Sequence, residues 1–182
     1  MLMEQLFSTG IMKMGSSRVE PKRQVGVFNP AAVAGLPGLR SEELGKFRWI
    51  AGEWRYENAV PATRVSPAYG DIGSARFSFN DKSNWICMVM AEGEEIPQIT
   101  FDPFSRQWIY LLTKGSYGML RSAGWEGDSI AFTGLMTMIG INTEWRMTWT
   151  RQSPDRFGFV NEERGPDGSW AYIDEWRFQR ES

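Results

Sequence analysis

The sequence predicts an all-β fold, an antiparallel up-and-down barrel of about ten strands with a short helix before it. Three observations favour this fold. Apolar and polar residues alternate with a period of two from Glu53 to the end of the chain. Turn signals rich in Gly, Pro, Asn and Asp divide this alternation into segments of strand length. No helical pattern separates the segments, which is typical of a meander in which sequential strands pair.

The chain begins with residues 1–40, which contain four methionines and a stretch punctuated by proline and glycine. We predict an arm with little regular structure, either packed over one end of the domain or frayed, since chain termini are commonly disordered. A barrel domain of residues 41–182 follows. Its first element is a predicted helix from Ser41 to Ala51, with Ser41 as N-cap, acidic residues in the first turn and Gly52 at the end.

Ten candidate strands follow the helix. They span residues 53–58, 74–80, 84–91, 96–101, 106–113, 116–122, 129–134, 142–151, 156–164 and 169–179. A meander of this length closes most economically into a barrel, because closure removes exposed strand edges. A barrel of more than about eight strands has room for a ligand unless its side chains fill it.

Two connections differ from the tight turns between the other strands. Residues 59–73 form a long predicted loop that contains proline and glycine. Loops of this length are often functional in compact domains. Residues 134–141 form an apolar stretch that contains methionine and lies between two glycines. We interpret both as gates over the barrel, and the alternative for the second is a plug that fills the barrel end, because methionine suits either role.

The composition excludes many classes of chemistry. The 182 residues contain no histidine and one cysteine. A Ser-His-Asp or Cys-His nucleophile pair, a histidine zinc site, an imidazole haem ligand and an intrachain disulfide are therefore excluded. Cys87 lies in an apolar strand that raises a thiol pKa, so we expect it to be unreactive. We predict no metal and no cofactor.

The charge distribution bears on partners and location. The net charge is −2 and no basic tract is visible, so we expect no nucleic-acid partner. No stretch approaches the roughly 20 apolar residues that span a bilayer. The first residues lack the basic start of a secretory signal. We therefore expect a cytoplasmic protein without a membrane span.

Residues 46–56 read KFRWIAGEWRY, a short helix that leads into Gly-x-Trp on the first strand. This segment resembles the opening of lipocalins and related calycins. Near the end of the chain, Trp176-Arg177-Phe178 with Arg180 is similar to the closing strand of that family, in which an arginine packs over the first-strand tryptophan. Barrels of similar shape that bind haem use a proximal histidine, which this chain lacks.

The middle of the chain resembles a bacterial lipocalin-like family of unknown function. The similar segments are the FDPFSRQW turn at 101–108, the GWEGD turn at 124–128 and the WRMT strand at 145–148. The resemblance covers about residues 44–180. It implies the barrel fold and no particular function, because unrelated sites are grafted on one fold.

Alternation sorts the last three strands into two faces. One face carries charges of both signs, and opposite charges on adjacent strands are typical of a solvated surface. These residues are Glu144, Arg146, Glu162, Arg164, Glu175 and Arg177. The other face is aromatic and is predicted to line the barrel. Its members are Trp145, Met147, Trp149, Phe157, Phe159, Asn161, Glu163, Trp170, Tyr172, Asp174, Trp176 and Phe178.

The polar residues of the aromatic face, Asn161, Glu163, Tyr172 and Asp174, are candidates for function. A carboxylate among tryptophans is costly unless it is paired or protonated, and burial raises its pKa. One interpretation makes Asp174 or Glu163 a ligand anchor or a general acid/base, with Tyr172 as its hydrogen-bond partner. The alternative places them at the barrel rim in water, or pairs them with an arginine such as Arg121.

The leading functional hypothesis is the binding of a small, largely apolar, aromatic ligand inside the barrel. The predicted ligand-binding residues are Trp54, Tyr56, Tyr110, Tyr117, Arg121, Trp145, Trp149, Asn161, Trp170 and Trp176. The second hypothesis is a cofactor-free lyase, isomerase or cyclase with Asp174, Glu163 and Tyr172 as its catalytic residues. A third is a homo-oligomeric interaction module that uses residues 1–40.

Overall fold

The structure is a computed structural model that describes residues 34–62, 67–80, 82, 84–90, 93, 95–113, 115–138 and 140–181. Residues 1–33 of the predicted arm, and with them most of the hypothetical oligomerisation segment, lie outside these ranges. Helix α1 spans Leu36–Gly45 and is followed by a 3-10 turn at Arg48–Ile50. Residues 36–40, assigned to the arm by the sequence analysis, are therefore helical, and Ser41 lies within the helix instead of capping it.

Eleven strands follow the helix. They are β1 (Gly52–Val60), β2 (Tyr69–Asn80), β3 (Trp85–Met90), β4 (Ile96–Asp102), β5 (Gln107–Leu112), β6 (Ser116–Ser122), β7 (Trp125–Glu126), β8 (Ser129–Met138), β9 (Ile141–Ser153), β10 (Arg156–Arg164) and β11 (Trp170–Arg180). Neighbouring strands pair antiparallel in the order β6-β5-β4-β3-β2-β1-β11-β10-β9-β8-β7. Strand β6 also pairs with β8, which closes a barrel of ten strands and leaves the short β7 as an extra strand. The predicted all-β barrel with one short helix is confirmed.

The first predicted gate is largely a β-hairpin. Strand β1 continues to Val60 and β2 begins at Tyr69, and these two residues lie opposite each other. The connection is therefore residues 61–68 rather than 59–73. The glycines that suggested a loop lie in β2, where cross-strand pairing satisfies their backbone groups.

The second predicted gate is also a β-hairpin. Strand β8 runs to Met138 and β9 begins at Ile141, and this pair closes the ladder. Gly140 has a φ of 77°, a left-handed conformation that glycine adopts without steric cost. The expectation of a loop over residues 134–141 is incorrect, because most of the stretch belongs to the two strands.

The strand directions define two ends of the barrel. Strands β1, β3, β5, β8 and β10 run away from α1 and the 3-10 turn, so the β1–β2, β5–β6, β8–β9 and β10–β11 connections share the opposite end. We call that opposite end the mouth and the end next to the 3-10 turn the closed end.

The closed end is built around Trp54, which is fully buried. Its Nε1 donates a hydrogen bond to the carbonyl of Ile50 at 2.7 Å. The guanidinium of Arg180 lies 4.2 Å from the centre of the indole ring and donates hydrogen bonds to the carbonyls of Ala51, at 2.9 Å, and Trp49. The arginine thus packs over the first-strand tryptophan, as the lipocalin resemblance implies, and fastens the 3-10 turn across the barrel end.

Aromatic rings fill the half of the barrel next to the closed end. Trp149 stacks on Phe157 with ring centres 5.4 Å apart, and Phe157 stacks on Phe178 at 4.3 Å. Phe47, just before the 3-10 turn, packs against Trp108 and Trp125 at 5.0 and 4.7 Å. Burying such side chains contributes about 1.5–3 kcal/mol each, so this half of the barrel stabilises the fold.

Candidate ligand site at the barrel mouth

A β-bulge in β11 decides which residues face the barrel interior. Asn161 on β10 pairs with Asp174, but the next residue, Glu162, pairs with Tyr172. Ile173 is therefore an extra residue in β11. An extra residue reverses the alternation of faces along a strand. Asp174, Trp176 and Phe178 face inward, whereas Tyr172 shares the outer face with Glu162.

The expectation that Trp170 and Tyr172 line the interior is therefore incorrect. Tyr172 is 47% exposed. The ring of Trp170 lies under the guanidinium of Arg146 at 4.5 Å and under that of Arg164 at 5.7 Å, and both arginines are on the outer face. The prediction assumed uninterrupted alternation along β11 and therefore placed both aromatic residues on the inner face.

The charged residues of the outer face form the predicted lattice. Arg146 donates two hydrogen bonds to Glu162, at 2.6 and 2.7 Å. Other ion pairs join Arg164 to Glu144 at 3.2 Å and Arg177 to Glu175 at 2.6 Å. The bonds to Glu162 raise the pKa of the Arg146 guanidinium above its ordinary value. These arginines are thus occupied by carboxylates outside the barrel.

A chain of hydrogen bonds runs across the inner face near the mouth. The Nε1 of Trp145 donates to Oδ1 of Asn161 at 3.1 Å, and Nδ2 of Asn161 donates to Oδ1 of Asp174 at 2.7 Å. The side chain of Trp176 also donates to the Asp174 carboxylate. Trp145 and Asn161 are buried. Because Asn161 accepts from an indole and donates to a carboxylate, the orientation of its amide is fixed.

Asp174 is a half-buried carboxylate held only by neutral donors. Burial raises the pKa of its carboxyl above the ordinary value, and the hydrogen bonds from Asn161 and Trp176 oppose part of that rise. No arginine or lysine of the described residues forms an ion pair with it. Arg121, the partner considered from the sequence, lies on the outer face of β6 and donates to Gln107 at 3.1 Å.

Aromatic rings form a wall beside Asp174. The ring centres of Tyr56 and Trp176 are 5.2 Å apart, and Trp176 stacks on Phe159 at 5.6 Å. The Tyr56 ring lies directly over Gly73 of β2, where a Cβ atom would be 2.6 Å from the phenol oxygen. Burial and the carboxylate of Asp71, which accepts the Tyr56 hydrogen bond at 3.0 Å, raise the pKa of this phenol.

Several inward-facing side chains near the mouth are only half-buried. Asp174, Trp176, Met90 and Leu112 face inward on four different segments of the wall, yet each is only half-buried. These side chains therefore keep part of their surface in contact with solvent. Next to the closed end, by contrast, Trp54 and Trp149 are buried almost completely.

Two other predicted residues also lie on the inner face, with partners of their own. Glu163, near the rim, accepts a hydrogen bond from Oγ1 of Thr143 at 2.6 Å. The buried Tyr110 donates to Gln98 at 3.2 Å, and burial raises the pKa of its phenol. The structure therefore brings Glu163 near the mouth, whereas Tyr110 belongs to the packed interior.

The remaining predicted ligand-binding residues lie elsewhere. Trp54 is part of the closed end and Trp149 of the stacked core. Tyr117 lies on the outer face of β6 and is 63% exposed. The interior site thus retains five predicted residues, Tyr56, Trp145, Asn161, Asp174 and Trp176, with the predicted Glu163 near its rim.

Two residues of the mouth were not predicted. Asn58 is buried, and its Nδ2 donates to the carbonyl of Glu175 at 3.3 Å. Asn58 is two residues after Tyr56, so alternation along β1 predicts that it lies on the same inner face. Asp71 lies opposite Asn58 on β2, in a segment that had been assigned to a loop.

A concavity lies at the ends of β1, β2 and β11. It has a volume of about 490 Å³. Its lining consists of Ala59, Val60, Pro61, Ala68, Tyr69, Gly70 and Tyr172. Tyr172 therefore contributes to this concavity at the strand ends.

Three further features concern metal binding, thiol reactivity and membrane-spanning helices. Within them, no group of three His, Cys, Asp or Glu side chains is arranged to hold a metal ion. Burial and the nearby Glu95 raise the pKa of the Cys87 thiol, which disfavours its reactive thiolate. None of the helices in the described ranges is long and apolar enough to cross a membrane.

Comparison with known proteins supports the fold. No protein-family model matches the sequence, and no curated protein matches it. The crystal structure of Rv2717c from M. tuberculosis has a TM-score of 0.51 and 10% identity, over 77% of this chain and 98% of that chain. The two proteins share a barrel fold. At this identity the likeness extends to the fold alone.

A second solved structure is a protein of unknown function from the DUF3598 family of Nostoc punctiforme. It has a TM-score of 0.48 and 14% identity, over 74% of this chain. The present chain spans 48% of that protein's length.

Proposed function

We propose that the protein binds a small, largely apolar, aromatic molecule inside the mouth of the barrel. One arrangement carries the proposal: the half-buried Asp174, oriented by Asn161, lies beside the rings of Tyr56 and Trp176. Small-molecule sites in proteins combine apolar walls with a few fixed polar groups in this way.

The mouth is the part of the interior that suits a ligand. Trp176 and Asp174 retain exposure, so a ligand there displaces water and buries apolar surface without unfolding the core. A ligand at the closed end would have to displace Trp54 or Trp149, which are already packed.

We further propose that the chain is a divergent lipocalin-like protein. Gly52 and Trp54 stand at the start of β1, and Arg180 lies over the Trp54 ring. This combination supports the relationship that the Gly-x-Trp opening and the closing strand indicate.

The raised pKa of Asp174 favours a second candidate function, a cofactor-free lyase or isomerase with Asp174 as general base. Tyr172 lies outside the barrel and Glu163 is bonded to Thr143, so Asp174 would act with Asn161. Replacing Asp174 by asparagine distinguishes the two functions. A binding protein loses only affinity, whereas an enzyme retains binding of its substrate and loses turnover.

Two tryptophans of β11 provide a matched test of the binding site. Trp176 faces the interior and Trp170 faces outward, because the bulge lies between them. We expect isothermal titration calorimetry to detect binding of 1-naphthalenemethanol to the wild-type protein. Trp176→Ala should weaken this binding by about tenfold or more, since a buried aromatic contact contributes roughly 1.5–3 kcal/mol.

Trp170→Ala should leave the affinity for 1-naphthalenemethanol within about twofold of wild type, because the two rings lie on opposite faces. Equal losses in the two variants would contradict a site inside the mouth. So would the absence of binding to the wild-type protein.

A further inference from the structure

We infer that the ligand carries a positively charged nitrogen, such as a protonated amine, that contacts Asp174 while its aromatic body lies against Tyr56 and Trp176. This inference rests on the proposed interior site and names the class of molecule that fits it. Three features of the described residues carry it: an unpaired carboxylate, ring faces without a cation and the sign of the surrounding charges.

The first feature is the incomplete partnering of the Asp174 carboxylate. Its partners among the described residues are neutral, the amide of Asn161 and the indole of Trp176. A carboxylate offers about four acceptor positions, so acceptor capacity remains after these two bonds. Buried charges in proteins are ordinarily paired with an opposite charge. A ligand cation would supply both the missing charge and further donors.

The second feature is the Trp176 ring, which lacks the arginine that covers several other tryptophans. The ring of Trp54 is covered by Arg180, that of Trp49 by Arg151 at 5.1 Å, and that of Trp170 by two arginines. Among the described residues, no such guanidinium or ammonium lies over Trp176. A cation over an aromatic face is stabilised by the ring quadrupole, more strongly when water is excluded. The ring beside Asp174 therefore has no cation partner among the described residues.

The third feature is the sign of the charges that share the inner face. Asp71 on β2 and Glu163 on β10 face inward near the same end as Asp174, held by Tyr56 and Thr143 respectively. The neighbouring Arg177 lies on the outer face, where it pairs with Glu175. A wall lined by one sign of charge attracts ligands of the opposite sign. These carboxylates therefore favour a cation over an anion of the same size.

Three naphthalene compounds with different charges test this inference. They are 1-naphthylmethylamine, which is cationic at neutral pH, 1-naphthalenemethanol, which is neutral, and 1-naphthoate, which is anionic. We expect calorimetry on the wild-type protein to show the amine binding about tenfold or more tighter than the alcohol, because hydrogen bonds to charged groups are worth more than neutral ones. The carboxylate should bind most weakly.

Asp174→Asn should reduce the preference for the amine over the alcohol to about twofold or less, because loss of the carboxylate charge weakens binding of the cationic amine more than binding of the neutral alcohol. The control is Asp128→Asn, which removes the same charge from the exposed turn before β8, at the closed end. It should retain the preference of the wild type. The comparison of ligands on the wild-type protein does not depend on the folding of either variant.

The outcomes separate this inference from the proposed function. If the alcohol and the amine bind the wild type equally, or if the naphthoate binds most tightly, the cationic ligand class is overturned while the interior site stands. An amine preference that survives in Asp174→Asn overturns the role of Asp174. If none of the three compounds binds, the interior site and this inference are both overturned.

Discussion

The two ends of the barrel use tryptophan in opposite ways. At the closed end and in the adjoining core, the indole N–H groups of Trp108, Trp125 and Trp149 are buried and have no hydrogen-bond partner among the described residues. At the mouth, Trp145 donates to Asn161 and Trp176 donates to Asp174.

This difference shows what each end contributes. A buried donor without a partner costs about 1–3 kcal/mol, and the closed end tolerates that cost because its rings pack closely. All three unpartnered indoles contact the Phe47 ring, at 4.7–6.3 Å between ring centres. The mouth keeps its polar groups in a connected chain and its surface partly exposed. Packing at one end therefore supports a polar, accessible site at the other.

The largest expected effect is on stability at the closed end. Trp54→Ala removes a fully buried ring, its hydrogen bond to Ile50 and the surface on which Arg180 packs. We expect the free energy of unfolding to fall by about 3–5 kcal/mol, measured by urea denaturation. Trp176→Ala at the half-buried mouth should cost less than half as much. Equal losses would contradict the division between a packed end and an open one.

A smaller loss is expected when the arginine clamp is weakened. Arg180→Lys removes the planar group that stacks on Trp54 and donates to the carbonyls of Ala51 and Trp49. We expect a loss of about 1–2 kcal/mol in the same assay, because lysine cannot reproduce the two-pronged geometry. Arg177→Lys, on the exposed outer face, is the matched control and should change stability by about 0.5 kcal/mol or less.

At the mouth, removing a charge should increase stability. The pKa of Asp174 is raised in the folded protein, so the folded state binds more protons than the unfolded state between the unfolded and folded pKa values. The cost of the ionised carboxylate is therefore present above the folded pKa and disappears as the pH falls below the unfolded pKa. Asp174→Asn should raise the melting temperature at pH 7, and the gain should shrink towards pH 3. A gain that is independent of pH would refute this account of the carboxylate.

The smallest effect is expected where the bulge turns a side chain outward. Tyr172→Phe removes a hydroxyl from the 47% exposed outer residue. We expect stability to change by about 0.5 kcal/mol or less, as at other exposed sites, and the affinity for 1-naphthalenemethanol to stay within about twofold. A tenfold loss of affinity would place Tyr172 in the site and contradict the register of β11.

The sequence predicted most of the barrel because period-two alternation is a local property. Trp145, Asn161 and Asp174 alternate on adjacent strands and meet on the inner face. The faces of Trp170 and Tyr172 were predicted incorrectly because the extra residue, Ile173, is defined only by pairing with β10. Alternation within a single strand contains no information about its partner's register.

The hairpins were misjudged for a different reason. Gly70 and Gly73 suggested a loop, but Gly73 lies in β2 under the Tyr56 ring, where a larger residue would collide with it. From the sequence alone, a glycine that permits a close approach within a strand cannot be distinguished from a glycine that forms a turn. Asp71, between these glycines, was missed for the same reason.

The most direct test of the account is the two-dimensional ¹H–¹⁵N spectrum of the nine tryptophan indoles during titration with 1-naphthalenemethanol. Each indole N–H gives its own signal, which Trp→Phe variants can assign. We predict that the signals of Trp145 and Trp176 shift with the ligand, while those of Trp54 and Trp125 stay in place. Shifts confined to Trp54 and Trp125, or no shift at saturating ligand, would contradict a binding site at the mouth of the barrel.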